Sequence, residues 1–204
     1  MTRTLSVACM LTIVFCAPGA AAVTITKTGD SLVDGKALTI KGGFGRAING
    51  KAFQQEVMVT HKGWQYLGYY SADRRVCLAR RKLPRGAWEV VKFEDYKFKS
   101  NDAHNTISIG VCPADGTLHV SFDHHNNRLH YRASRKGVAS DPAAVQWKPD
   151  LFGGVRSWME KGKTISVTYP RFWPTPDGGL QFCYRRGGSG GGDRMLGDYD
   201  PAAG

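Results

Sequence analysis

The sequence predicts an all-β fold, a β-propeller of about three blades, on three observations. A segment repeats further along the chain without a gap, apolar residues alternate along short runs, and polar or glycine-rich turns separate those runs. The repeat is clearest between GWQYLGYYSADRRVCLAR, from Gly63, and GTLHVSFDHHNNRLHYRA, from Gly116, where 18 residues align: Leu67 with Val120, Tyr69 with Phe122, Arg75 with Arg128, Val76 with Leu129. A third copy, GGLQFCYRRGGSGGGDRML, starts at Gly178 and sets Leu180, Phe182 and Tyr184 where Leu118, Val120 and Phe122 stand. The copies begin 53 and then 62 residues apart, close to the period of a four-stranded propeller blade.

In chain order, residues 1–22 read as a signal peptide. Arg3 is a short positive start, Leu5 to Cys16 is an apolar stretch too short to cross a bilayer, and Ala20-Ala21-Ala22 offers a cleavage site before Val23. Residues 23–204 are then a partial propeller domain. The first blade is expected to use a strand at Glu56–Thr60, the hairpin from Gly63 and a fourth strand at Trp88–Phe93. The second uses Thr106–Val111, the hairpin from Gly116 and Val145–Lys148, and the third uses Thr164–Tyr169 and the hairpin from Gly178. Each hairpin shows the two-residue alternation of a strand, then a turn, then a second strand. Propeller rings close with at least about four blades, so the chain is expected to be a fragment of a longer protein.

Composition bounds the partners. The chain carries 28 Lys and Arg against 17 Asp and Glu, and without Arg3 the mature charge is 27 − 17 = +10. An exported protein this basic is expected to meet polyanions, whether sulfated or uronate polysaccharides, nucleic acid or anionic surfaces, and charge alone does not separate them. It is expected to be secreted or periplasmic, to have no membrane span, and to be monomeric when complete. Removing the signal leaves Cys77, Cys112 and Cys183. An odd count among apolar strand residues reads as buried, inert thiols, with one disulfide and a spare thiol as the alternative.

Five of the six histidines fall between Asp102 and Ser134: His104, His119, His124, His125 and His130. Imidazole is the side chain that exchanges protons near neutrality. His119 alternates with Leu118 and Val120 and reads as a cross-strand polar partner; His130 reads as structural, and His61 has no supporting context. No C-x-x-C or H-E-x-x-H spacing marks a metal site, and GGSGGG (187–192) lacks the Lys-Ser/Thr of a phosphate loop and reads as a hairpin turn. Trp64 is expected to fill space between blades.

Four motifs in order, H-N-T (104–106), HH (124–125), Y-P-R-F-x-P-T-P-D-G (169–178) and Y-R-x-G-G-S-G-x-G-D-R (184–194), resemble the BNR-4 family of secreted, seven-bladed propellers acting on polysaccharides. The resemblance spans about residues 40–200. No S-x-D-x-G-x-x-W box or arginine triad suggests a sialidase. The resemblance implies a polysaccharide lyase of the ulvan type, with an anionic polysaccharide as substrate and no nucleic-acid partner. His104 is then the base, Tyr169 the acid and Arg185 the group that neutralises the uronate carboxylate. His124 supports them, with His125 competing for its register and Arg186 for that of Arg185. Asn105, His125, Arg186, Arg171 and Trp173 are expected to touch substrate. No cofactor is required for this chemistry, and the family can carry a structural divalent metal. The same family includes an α-L-rhamnosidase branch that cleaves rhamnose from glucuronate, and a non-catalytic glycan-binding propeller is the reading from another class.

These residue types suit β-elimination. The C5 proton of a uronate is weakly acidic beside an ionised carboxylate, and a bidentate guanidinium makes the developing charge tolerable. A neutral imidazole can take that proton near neutral pH, and a phenol can protonate the departing glycosidic oxygen.

Overall fold

The computed structural model describes residues 23–41, 48–49 and 56–203; the expected signal peptide lies outside them. The chain divides into two units, Met1–Ser31 and Leu32–Gly204. Of the first, residues 23–31 run exposed and without regular structure, with Lys27 and Asp30 paired at 2.8 Å.

The second unit is three antiparallel sheets, three blades of a β-propeller. Strands β1 (Met58–His61), β2 (Trp64–Tyr70), β3 (Arg75–Lys82) and β4 (Glu89–Lys97) pair in sequence order as the first blade. Then come β5 (Ile107–Val111), β6 (Leu118–Phe122), β7 (His125–Arg128) and β8 (Tyr131–Ala133), and the second blade is β5-β6-β8. The third blade is built from β9 (Ser166–Pro174), β10 (Leu180–Arg186) and β11 (Asp193–Tyr199), and β7 joins it as a fourth strand, in the order β11-β10-β9-β7.

The repeat survives as hydrogen-bond register. Gly68 faces Leu78 and Tyr66 faces Arg80 in the first blade; Ser121 faces Tyr131 and His119 faces Ala133 in the second. Each residue is displaced by the same 53 positions (121 − 68, 131 − 78).

Burial follows the layering. Every residue of β5 and β6 is buried because the second blade is covered on both faces, whereas β4 alternates between exposed and buried positions. Burying a side chain such as Ile107 or Ile109 contributes about 1.5–3 kcal/mol, and both belong to the core shared with Tyr66, Tyr70 and Leu78. Close approach needs glycine at two points. A Cβ on Gly68 would lie 2.6 Å from Ile107 Cγ2, and one on Gly110 would lie 2.3 Å from Phe172 Cβ. The blades therefore pack backbone against side chain at both seams.

Three strand expectations need correction. Val145–Lys148 is not a strand. It lies between 3-10 turns at Pro142–Ala144 and Pro149–Leu151, whose prolines cannot donate to a ladder, and Trp147 is buried with its indole N–H on the carbonyl of Leu78 at 3.1 Å. The third-blade strand runs from Ser166 to Pro174, so Tyr169 lies within it rather than at its end. The second hairpin does not close directly after its turn: β7 leaves for the third blade and only the three residues of β8 return to β6.

Cys77, Cys112 and Cys183 are free, buried thiols, and burial raises the thiol pKa of Cys77 and Cys112. Trp64 does lie in packing, over the guanidinium of Arg80 at 5.0 Å. No helix of the described residues is long and apolar enough to cross a membrane.

Candidate active site

Two bulges aim the site. His125 pairs with Thr168 and Asn127 with Val167, so Asn126 is an extra residue in β7. On the other side Arg185 also pairs with Thr168 while Cys183 pairs with Arg171, so Tyr169 and Pro170 together stand opposite Tyr184 and β9 carries one extra residue. The backbone records both: Asn126 and Tyr169 have φ of 61° and 53°, and nearby Asp123 has 60°. Left-handed backbone at non-glycine residues is costly and clusters at sites that need side chains re-aimed. Thr168 is the common row of the two bulges. Its buried hydroxyl accepts the Asn126 N–H at 2.7 Å and donates to the Gly187 carbonyl at 2.6 Å.

The result is one group of four side chains. The imidazoles of His104 and His125 stack with centroids 4.6 Å apart and 25° between planes. The Tyr169 ring lies 5.9 Å from His104 and 6.0 Å from His125. The guanidinium carbon of Arg185 is 5.8 Å from the Tyr169 ring centre, and its N–H donates to the Ser189 carbonyl in the glycine turn. Beneath the histidines is Asp102, which the sequence reading did not single out. Its Oδ1 accepts the His104 backbone N–H at 2.9 Å and lies 2.5 Å from His104 Nδ1, while its Oδ2 lies 2.9 Å from His125 Nδ1. Burial alone would raise the Asp102 carboxyl; the backbone N–H and imidazole of His104, then His125, outweigh it, and its pKa is lowered. The motif D-x-H, with the carboxylate two residues before the imidazole in an Asx turn, is the signal that could have found it.

Asp102, His104 and His125 also offer ligand atoms all within 4.8 Å of one another. Two imidazoles and a carboxylate would suit a divalent ion, and the hydrogen bonds among them account for the same convergence.

Other expected residues lie elsewhere. His124 is fully buried, with Nε2 at 3.2 Å from the carbonyl and 3.3 Å from the N–H of His130. Burial and then the neighbouring His130 push its pKa down to about 3. His125, not His124, therefore stands beside His104. Asn105, expected among the contact residues, is also buried, its amide donating to Asp123 Oδ1 at 2.6 Å. The other Asp123 oxygen takes the Tyr96 hydroxyl at 2.5 Å, and the Tyr70 hydroxyl accepts the Asp123 N–H at 3.0 Å. Arg186 is exposed and paired with Asp193 at 2.7 Å across the hairpin. Arg171 and Trp173 do join Tyr169, Arg185 and Arg194 around a cavity of about 110 Å³. His119 is buried between Thr117 and the Tyr131 hydroxyl, both at 2.7 Å, as a cross-strand partner, and burial lowers its pKa to about 4. A larger cavity of about 400 Å³, walled by Phe172, Phe182, Tyr184 and Tyr199, contains none of the expected site residues.

Two imidazoles, a phenol and a guanidinium thus converge where the second and third blades meet. Residues 64–204 match the model of the BNR repeat-containing family. The long-isoform ulvan lyase of Pseudoalteromonas sp. (strain PLSV) is 26% identical over 182 residues, 71% of this chain and 18% of that protein. The short-isoform ulvan lyase of Alteromonas sp. (strain LOR) is 23% identical over 198 residues, 77% of this chain and 37% of that protein. The chain therefore spans less than two fifths of the length of these curated relatives. Among solved structures, polysaccharide lyase Uly1 superposes with a TM-score of 0.64 at 21% identity, over 86% of this chain and 44% of that one. An ulvan lyase bound to -[GlcA(1-4)Rha3S]- superposes with a TM-score of 0.53 at 12% identity, over 82% of this chain and 37% of that one. At these identities the superpositions carry the fold.

Proposed function

The chain belongs to the BNR repeat-containing family, and on that premise we propose that it is a polysaccharide lyase. Its substrate is a uronate-containing, sulfated polysaccharide of the ulvan kind, cut by β-elimination. The observation that carries the reading is the single group formed by His104, His125, Tyr169 and Arg185.

Arg185 meets the uronate carboxylate and offsets the charge that develops on it. His104 takes the C5 proton, with His125 stacked beside it as support in the place expected for His124. The electron pair of the C5–H bond becomes the C4–C5 double bond, the C4–O bond breaks, and the Tyr169 hydroxyl gives its proton to the leaving oxygen. Arg171, Arg194 and Trp173 extend a cationic, partly aromatic wall from this point, suited to the sulfated sugars on either side. No step calls on a cofactor. The same reading has the protein exported by the peptide of residues 1–22, and a mature N-terminus at Val23 would support it.

Incubation with ulvan and other uronate polysaccharides, followed by ultraviolet absorbance, tests the proposal. An absorbance rise is expected from the unsaturated product. His104→Ala and Tyr169→Phe should each lower kcat by about 10²–10⁴-fold, the range of general acid–base catalysis, with unchanged circular dichroism. Saturated products would establish the hydrolase instead, and salt-dependent binding without turnover would establish a glycan-binding propeller.

A further inference from the structure

We propose that Asp102 is the positioning residue of this site: one carboxylate holds two imidazoles by their Nδ1 atoms and so fixes both in the tautomer that carries its lone pair on Nε2. The two nitrogens use separate oxygens, His104 Nδ1 on Oδ1 at 2.5 Å and His125 Nδ1 on Oδ2 at 2.9 Å. An ionised carboxylate only accepts. Each Nδ1 must therefore carry hydrogen, and a neutral ring with hydrogen on Nδ1 has its acceptor on Nε2. The lowered carboxyl pKa of Asp102 agrees with an ionised group at neutral pH.

The carboxylate is itself held. Oδ1 also accepts the His104 backbone N–H at 2.9 Å, and the Asp102 N–H donates to Ser100 Oγ at 3.0 Å. Ser100 and Asn101 are tied in turn to the guanidinium of Arg74, through the Ser100 carbonyl at 2.9 Å and Asn101 Oδ1 at 2.7 Å. The first blade thus sets the carboxylate, the carboxylate sets both rings, and β7 brings the second ring from the third blade's sheet. Asp102 acts through His104 and His125 and needs no contact with substrate. Its kinetic role rests on the lyase reading; the tautomer assignment does not.

Long-range ¹H–¹⁵N correlation spectra of the protein at neutral pH, assigned with His104→Gln and His125→Gln, read the tautomers directly. Both rings are expected as Nδ1–H, and either one found as Nε2–H overturns the proposal without recourse to a variant. Asp102→Asn offers one acceptor and one donor in place of two acceptors. One of the two rings should therefore switch to Nε2–H, and kcat should fall by about 10²-fold or more with KM little changed. Asp102→Glu restores two acceptors and should recover the wild-type tautomers and most of the rate. A folded Asn variant that keeps both rings as Nδ1–H, or keeps full kcat, refutes the positioning role. Absence of unsaturated product from the wild type would instead sink the lyase reading and leave the spectra to decide the tautomers.

Discussion

Replacing Thr168 by valine removes one hydroxyl and little else. Valine has the same branched shape and suits a strand, so any effect reports the two hydrogen bonds. The hydroxyl accepts from Asn126 N–H at 2.7 Å and donates to Gly187 C=O at 2.6 Å, on a side chain with no exposure. Stranding a buried polar group costs about 1–3 kcal/mol. Two partly buried partners place the sum near the low end for each, about 2–3 kcal/mol. The loss acts on the bulge that carries His125 and on the turn after Arg185, and a displacement of about 1 Å at a reacting centre can lower the rate by about 10²-fold. Urea unfolding at pH 7 and kcat from the absorbance assay measure the two consequences. Thr168→Ser keeps the hydroxyl and should retain most of both. A valine variant within about 0.5 kcal/mol of wild type and with undiminished kcat would show that Thr168 does not align this site.

Further expectations concern the seam, the buried histidines and the site cation. Gly110→Ala would put a Cβ 2.3 Å from Phe172 Cβ and 2.8 Å from its Cγ; overpacking costs about 1–3 kcal/mol, and thermal melts should show a loss at the top of that range. Stability should fall on acidification. His119 and His124 are depressed to about 4 and about 3 from an ordinary 6.5, so below pH 6.5 the unfolded chain takes up protons that the folded one refuses. The contribution is complete above 6.5 and is lost downward toward pH 4 and 3, at up to about 1.4 kcal/mol per pH unit for each group. Urea midpoints at pH 7 and pH 5 check it, and equal midpoints would contradict it. His125→Ala should lose activity and keep its melting temperature, while His124→Ala should chiefly lose stability. Arg185→Lys keeps the charge but not the fork, and should raise KM and lower kcat together.

Much of this was legible in the sequence because the repeat is written into it. The 53-residue offset reappears unchanged in the pairing of β2 with β3 and of β6 with β8. His104, Tyr169 and Arg185 converge as their motifs implied. The choice between His124 and His125 was not legible by strand parity, since the extra residue at Asn126 breaks the two-residue period just where the choice is made. Asn105 of the H-N-T motif is expected to touch substrate, yet the buried carboxylate of Asp123 holds its amide. Val145–Lys148 alternates like a strand, but prolines on both sides and the pull of Trp147 toward Leu78 and Arg80 decide otherwise.

The strand that β7 contributes to its neighbour's sheet bears on the order in which this protein becomes competent. His125 finds its partner Thr168 only 43 residues later (168 − 125), a loop closure slower than that of the β6–β8 hairpin around it. During synthesis the second blade can pair its own strands while the second imidazole still has no ladder to hold it. On the proposed lyase reading, turnover is then the last property expected to arrive, and its recovery on refolding should lag the return of sheet signal, so that activity would report completed assembly and not merely the presence of folded blades.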